Sequence, residues 1–329
     1  MTSGGPTRAA AAEISRRRQW QPHGLSVLSA VFLTLASVSP AQTAYKYRDA
    51  NGQWVFTDRA ATAASPAGDS FSLGHEHGAL HLAVDRHDDA ESTQLVAIND
   101  CLCSVTFRVS IVQSDFAAIA NGAGYGATLE PGTRQTLVRA APENTGKATL
   151  RYVWTAALGS PGAVHKPPRP YRVPFAVGST YLISQAYPTR ITHTTADSQY
   201  AVDIALPDGT PVYSAREGTV INVRHDSFNA GTSAAMLDQA NVIEILHGDG
   251  TIAIYAHLHW DSIRVRVGEH VTRGQYIADS GNTGFTSGPH LHFAVIRNTG
   301  LEDVSVPVEF AGIGGVAVTP VTQMPLTAY

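Results

Sequence analysis

Long apolar stretches are scarce in this 329-residue chain: a run from Leu25 to Val38 is too short to span a bilayer comfortably, and no later segment is long or apolar enough for a membrane helix. Charge is scarce too, at 15% of residues, and it is not basic: 23 Lys and Arg against 27 Asp and Glu give a net −4, which argues against nucleic acid as a partner. Lysine stops at Lys166, so the second half cannot be a carrier domain that is modified on a lysine. Only two cysteines occur, Cys101 and Cys103. In an oxidising compartment they could pair, although a one-residue spacer strains a disulfide; otherwise they are two buried thiols. What the chain does have is 43% hydrophobic residues, 29 Gly and 18 Pro, a composition suited to many short strands and turns.

Arg16, Arg17 and Arg18 precede the apolar run, and Ser39-Pro40-Ala41 follows it as a small-residue cleavage site, so residues 1–41 read as an export signal. Its removal would take away Arg8, Arg16, Arg17, Arg18 and Glu13 and leave a mature protein of net −7, exported to a periplasm or the outside, with no stable membrane insertion. Residues 42–60 form a small N-terminal hairpin module: two short strands around an Asn51-Gly52 turn. The segment resembles a small domain of uncharacterised function found near the N-terminus of exported bacterial proteins. Residues 61–93, with His75, His77, His81 and His87, read as a solvated linker. Residues 94–175 alternate apolar and polar positions, as in Val105–Val112, Gln135–Arg139 and Ala148–Trp154, and predict a small antiparallel β-sandwich. Residues 176–312 carry dense turn chemistry between short β-branched strands, an all-β barrel or sandwich, and 313–329 are a C-terminal tail.

The chemistry concentrates in three segments of that last domain. In Pro289-His-Leu-His-Phe293, residues two apart on a strand share a face, so His290 and His292 point one way and Leu291 and Phe293 the other. Two converging imidazoles are what a metal site needs. In Tyr200-Ala-Val-Asp-Ile-Ala-Leu206, alternation sets Asp203 beside Ala201 and Ala205, the floor of a cleft. In Thr251-Ile-Ala-Ile-Tyr-Ala-His-Leu258, alternation places His257 with Tyr255, opposite Ile252, Ile254, Ala256 and Leu258.

Taken together, Asp203 followed by Pro207-Asp-Gly-Thr-Pro-Val212 and Ala215-Arg-Glu-Gly218, then Tyr255-Ala-His-Leu258, Val271-Thr-Arg-Gly-Gln275, Gly281-Asn-Thr-Gly284 and Gly288-Pro-His-Leu-His-Phe293 resemble the lysostaphin-type (LytM-like) zinc metallopeptidases. The likeness covers roughly residues 170–310. It implies a barrel-sandwich (duplicated hybrid motif) fold and one Zn²⁺ per chain. By the same likeness Asp203 and His292 are metal ligands, and His257 and His290 an unliganded catalytic pair beside them. Many members place the third ligand four residues before the Asp, where this chain has Gln199; His193 instead fits a branch whose ligand histidine precedes a Tyr-Ala-x-Asp strand across a longer loop. Two imidazoles and one carboxylate leave a fourth position open, the pattern of a catalytic site. The implied function is a metalloendopeptidase acting on peptidoglycan stem peptides or cross-bridges. A non-catalytic homologue that binds wall polymers or regulates amidases is the alternative, but such relatives typically lack several of these ligands.

Overall fold

The computed structural model describes residues 43–48, 54–57 and 69–72, and then residues 81–329 apart from 90, 142–147, 190 and 301. The export segment, the Asn51-Gly52 turn, His75 and His77 lie outside the described residues. Apart from short 3₁₀ turns, the described elements are strands. No helix among them is long and apolar enough to cross a membrane. The chain divides into two compact units, one of which spans residues 22–77. In it, β1 (Thr43–Arg48) pairs antiparallel with β2 (Trp54–Thr57), the two strands expected of the hairpin module. The strand β3 (Asp69–Ser72), from the expected linker, joins the other edge of β1.

The larger unit begins with six strands: β4 (Leu82–Asp88), β5 (Thr93–Asn99), β6 (Val105–Ser114), β7 (Gly124–Leu129), β8 (Thr133–Ala140) and β9 (Leu150–Leu158). They form two three-stranded antiparallel sheets, β4-β5-β8 and β7-β6-β9, packed through Leu95, Phe107, Val109 and Trp154. β4 thus occupies part of the segment expected to be linker. The polar residues that suggested solvation, such as Asp85 and His87, face outward, while Val84 alone of the strand is fully buried and β5 supplies the backbone partners. His81, from the same tract, is held by Asp100 at 2.9 Å.

Fifteen strands follow: β10 (Thr180–Gln185), β11 (Val202–Ile204), β12 (Pro211–Tyr213), β13 (Gly218–Arg224), β14 (Ala230–Gly231), β15 (Val242–Leu246), β16 (Ile252–Ala256), β17 (His270–Val271), β18 (Tyr276–Asp279), β19 (Gly284–Phe285), β20 (Leu291–Asn298), β21 (Asp303–Ser305), β22 (Phe310–Ala311), β23 (Ala317–Val318) and β24 (Pro325–Thr327). Most belong to one sheet in the order β17-β13-β15-β16-β20-β11-β10-β24, with β21 on β20. The architecture is all β, as expected, and among the described residues the strand order does not close into a hydrogen-bonded barrel. Residues 313–329 are built in: β24 pairs with β10, and Leu326 is buried.

Strand periodicity gives this sheet two different faces. One carries Val202, Ile204, Ile243, Ile245, Tyr255, Phe293 and Val295 into a core completed by Tyr171, Phe175 and Phe310. Each such side chain contributes about 1.5–3 kcal/mol on burial. The other face carries Ala201, Val242, Ile252, Ile254, Ala256, Ala294 and Ile296, part of which packs on the sandwich in one continuous cluster. Buried Asn298 rivets the two, its Nδ2 donating to Thr106 Oγ1 at 2.9 Å and to the Gly159 carbonyl at 2.7 Å. The rest of this second face is the floor of a cleft.

Cys101 and Cys103 are both buried as free thiols at the sandwich end of that cluster, with sulfurs 2.6 Å apart. Hydrogen bonding to Cys103 pulls the Cys101 thiol down and pushes its partner up.

Candidate functional site

Asp203 and His292 are direct cross-strand partners on β11 and β20, a register that brings neighbouring side chains together on the cleft face. His292 Nδ1 lies 2.9 Å from Asp203 Oδ1. His193 enters from the loop before β11 and sets its Nε2 at 3.1 Å from Asp203 Oδ2. Burial alone would push the Asp203 carboxyl up; hydrogen bonds from His193 and His292 outweigh it and hold the group well below the usual carboxylate range. Burial likewise pushes His292 down, against the pull of Asp203.

Among the described residues these three form the group able to hold a metal ion, with one ligand atom from each and all within 4.8 Å of one another. Ligands placed tetrahedrally at zinc distances stand about 3.3 Å apart, close to the two contacts Asp203 makes here. The donor set of two imidazoles and one carboxylate therefore fits zinc in chemistry, with its ligand atoms gathered within 4.8 Å.

His290 sits two residues before His292 and faces the same cleft, its Nε2 at 3.8 Å from Asp203 Oδ1. Its Nδ1 meets the Gly288 carbonyl at 2.9 Å, so Nδ1 carries the hydrogen and Nε2 is left facing the site. His257 completes the group, with ring centroids 4.5 Å from His290 and 5.9 Å from His292.

His257 does not lie with Tyr255 as alternation predicts. β16 ends at Ala256, and His257 adopts a left-handed backbone (φ 63°), which turns its side chain away from the core and into the cleft. Tyr255 and Leu258 remain in the core. A bulky residue in that region is strained and persists only where its surroundings over-determine it. Here they do: His257 Nδ1 donates to the Thr283 carbonyl at 2.6 Å, and Asn241 Nδ2 donates to the Leu258 carbonyl at 3.2 Å. Thr283 Oγ1 donates to the same carbonyl at 3.0 Å and accepts from the Asn241 amide. Burial, reinforced by His290 and His292, pushes His257 down to about 3, so its ring is neutral with Nε2 free to accept.

All five residues singled out in the sequence thus meet at one end of a cleft of about 480 Å³. Gln199 is not among the lining residues, and His193 stands in the position its absence leaves. The supporting residues were not foreseen. Gln185, opposite Asp203 in register, accepts from the amides of Ile191 and Thr192 at 3.2 and 3.1 Å and donates to Thr192 Oγ1, which pins the loop carrying His193. A glutamine at a buried strand position was the only signal of that role. Thr283 and Gly288 act through backbone carbonyls, which side-chain identity does not reveal. Other histidines of the domain stay apart: His247 is buried elsewhere against the Glu217 carbonyl, the His259 ring lies 6.2 Å from that of Trp260, and His270 is exposed on β17.

Comparison with known proteins agrees with this geometry. Residues 197–304 match the family described as Peptidase family M23, and residues 31–70 match a domain of unknown function, DUF4124. The chain is 36% identical over 125 residues to the peptidoglycan DD-endopeptidase ShyA of Vibrio cholerae, covering 37% of this chain and 26% of that one. It is 31% identical over 127 residues to lysostaphin of Staphylococcus simulans, covering 37% and 24%. It therefore spans only about a quarter of these relatives. Among solved structures, lysostaphin from Staphylococcus simulans aligns at 31% identity over 36% of this chain and 43% of that one, with a TM-score of 0.27. The catalytic domain of the prophage-encoded M23 protein EnpA from Enterococcus faecalis aligns at 26% identity over 40% and 92%, with a TM-score of 0.31. By its sequence motifs and the family match, residues 197–304 are a peptidase family M23 domain, homologous to lysostaphin and to ShyA.

Proposed function

We propose that the protein is a zinc metalloendopeptidase that hydrolyses peptide bonds of peptidoglycan cross-links. The observation that carries the reading is the Asp203 carboxylate held between His193 Nε2 and His292 Nδ1, with the His257 and His290 pair beside it on the open side. In this reading His193, Asp203 and His292 hold the ion. Zinc bound there would supply a Lewis acid that brings the pKa of a water toward about 7 and polarises the scissile carbonyl.

The remaining work belongs to the chain. His257 and His290 each keep a hydrogen on Nδ1 through a backbone carbonyl, so each turns an Nε2 lone pair toward the cleft. One of the two takes the proton of the attacking water, and the imidazolium so formed, now a donor at Nε2, stabilises the tetrahedral oxyanion and delivers the proton to the leaving amine. The walls orient an extended peptide across the sheet. The sandwich of residues 94–175 serves to position substrate, and residues 1–41 direct export to the compartment where the wall lies.

The test is direct. Purified protein incubated with cell-wall sacculi should release peptide fragments with new amino and carboxyl ends, lose that activity to a chelator and regain it with zinc. One zinc per chain is expected from metal analysis. Release that persists unchanged in chelator would overturn the assignment.

A further inference from the structure

Two reactive side chains stand outside the site of His193, Asp203 and His292: Cys101 and Cys103, the chain's only cysteines. They lie in the short connection by which the chain leaves β5, in one sheet of the sandwich, and enters β6, in the other. Their sulfurs stand 2.6 Å apart, closer than two sulfurs settle without a bond between them. The bend that carries them is clamped. Asn99, fully buried, accepts from the Cys101 amide at 2.9 Å through Oδ1, and its Nδ2 donates to the Cys103 carbonyl at 2.9 Å and to the Leu129 and Glu130 carbonyls at 3.0 Å. One side chain thus fixes both ends of Cys101-Leu102-Cys103 with the two sulfurs facing each other.

The bend also lies at a junction. Both cysteines belong to the apolar cluster that the sandwich shares with Ile221, Val242 and Ile252 of the peptidase sheet. Leu102 between them is half-exposed, and a Cβ added at Gly268, in the turn before β17, would meet its Cδ1 at 3.7 Å. Cys101 is 3% exposed and Cys103 2%. A reagent in solution therefore has little access to either sulfur while the chain is folded.

We infer that Cys101 and Cys103 are a site of covalent modification, oxidised to one disulfide before the sandwich closes and then shielded by it from thiol reductants. The oxidant is a disulfide-bearing exchange partner, of the kind at hand in the compartment to which residues 1–41 would direct the chain. One cysteine thiolate attacks a sulfur of that disulfide and displaces the partner's first thiolate; the second cysteine thiolate attacks the mixed disulfide and displaces the other. Two cysteine thiols become one disulfide, the partner's disulfide becomes two thiols, and two protons pass from the cysteines to the partner. With no third cysteine in the chain, no wrong intrachain pairing competes. Closing so short a loop removes little freedom from the unfolded chain, so the bond acts locally, on the sheet-to-sheet crossing and on Leu102 against Gly268.

The experiment refolds the full chain from urea in a mixture of oxidised and reduced glutathione, alkylates it in fresh urea and measures its mass. The expected product is two hydrogens lighter than the reduced chain and takes up no alkyl group. Two alkyl groups per chain, or glutathione left attached, would overturn the inference. Folded oxidised protein should keep the bond in dithiothreitol and lose it once urea is added; equally fast loss in both would refute the shielding. Hydrogen exchange gives the local readout: amides of residues 101–104 and 267–269 should exchange about tenfold faster in the Cys101→Ser, Cys103→Ser double variant than in the oxidised wild type, with the rest of the sandwich alike. A uniform change across the sandwich, or none, would count against a bond that acts at this junction.

Discussion

The protein should lose stability between pH 6.5 and 4 as its buried histidines take up protons, and His247, away from the candidate metal site, is one whose share can be isolated. His247 is 2% exposed; its Nδ1 donates to the Glu217 carbonyl at 2.8 Å, and its Nε2 has no hydrogen-bond partner among the described residues. Burial, with the charge of Arg216 nearby, pushes its pKa down to about 4. The folded state then holds fewer protons than the unfolded state between that value and the ordinary one near 6.5, so acid favours unfolding. Integrated over that gap, the loss relative to neutral pH is about 1.2 kcal/mol at pH 5.5 and about 2.4 kcal/mol at pH 4.5. Glutamine at this position keeps a donor for the Glu217 carbonyl but does not titrate. His247→Gln should therefore be somewhat less stable than wild type at pH 7 and close that gap, or reverse it, by pH 4.5. Urea unfolding at several pH values reads this out, with chelator in every sample so that acid release of metal does not contribute. A variant whose stability falls with acid as steeply as wild type would refute the reasoning.

Further outcomes follow from the site. His290→Ala should abolish cleavage with zinc stoichiometry nearly unchanged, whereas His292→Ala should lose zinc; atomic absorption alongside a sacculus assay separates the two. Gln185→Ala unpins the loop bearing His193, so zinc affinity should fall about 10–100-fold, the usual effect of removing a group that orients a metal ligand, measured by competition with a chromophoric chelator. At Gly284, where φ is 81°, an added Cβ would stand 2.6 Å from the Ala240 nitrogen. Gly284→Ala should cost several kcal/mol by displacing backbone. It should also slow cleavage by moving the Thr283 carbonyl that fixes His257; an unchanged melting temperature would count against this account.

Much of the site was legible because it obeys strand alternation. Asp203, His290 and His292 lie on regular stretches where small or polar residues alternate with core residues, and cross-strand register then brings them together. His257 broke the rule because one left-handed residue reverses the direction of a side chain, and nothing in Tyr255-Ala-His-Leu258 announces that φ. His193 was reachable only through the family likeness, since its loop has no periodicity. Gln185 and the carbonyls of Thr283 and Gly288 were not legible, as their roles depend on contacts between segments distant in the chain. At the fold level, β4 and β24 were hidden for a related reason. Short strands rich in polar or small residues take their stability from neighbouring backbone, so composition suggests linker or tail where pairing makes a sheet.

The alternation that gives the central sheet two faces also separates what its strands can change. Along β15 and β16 every second residue anchors the fold, while Val242, Ile254 and Ala256 between them line the cleft. A library randomised at the cleft-facing positions alone would sample new peptide preferences with the anchoring set untouched. Selectivity in such a scaffold can drift by single substitutions, without the compensating repacking that a change beneath the sheet would demand.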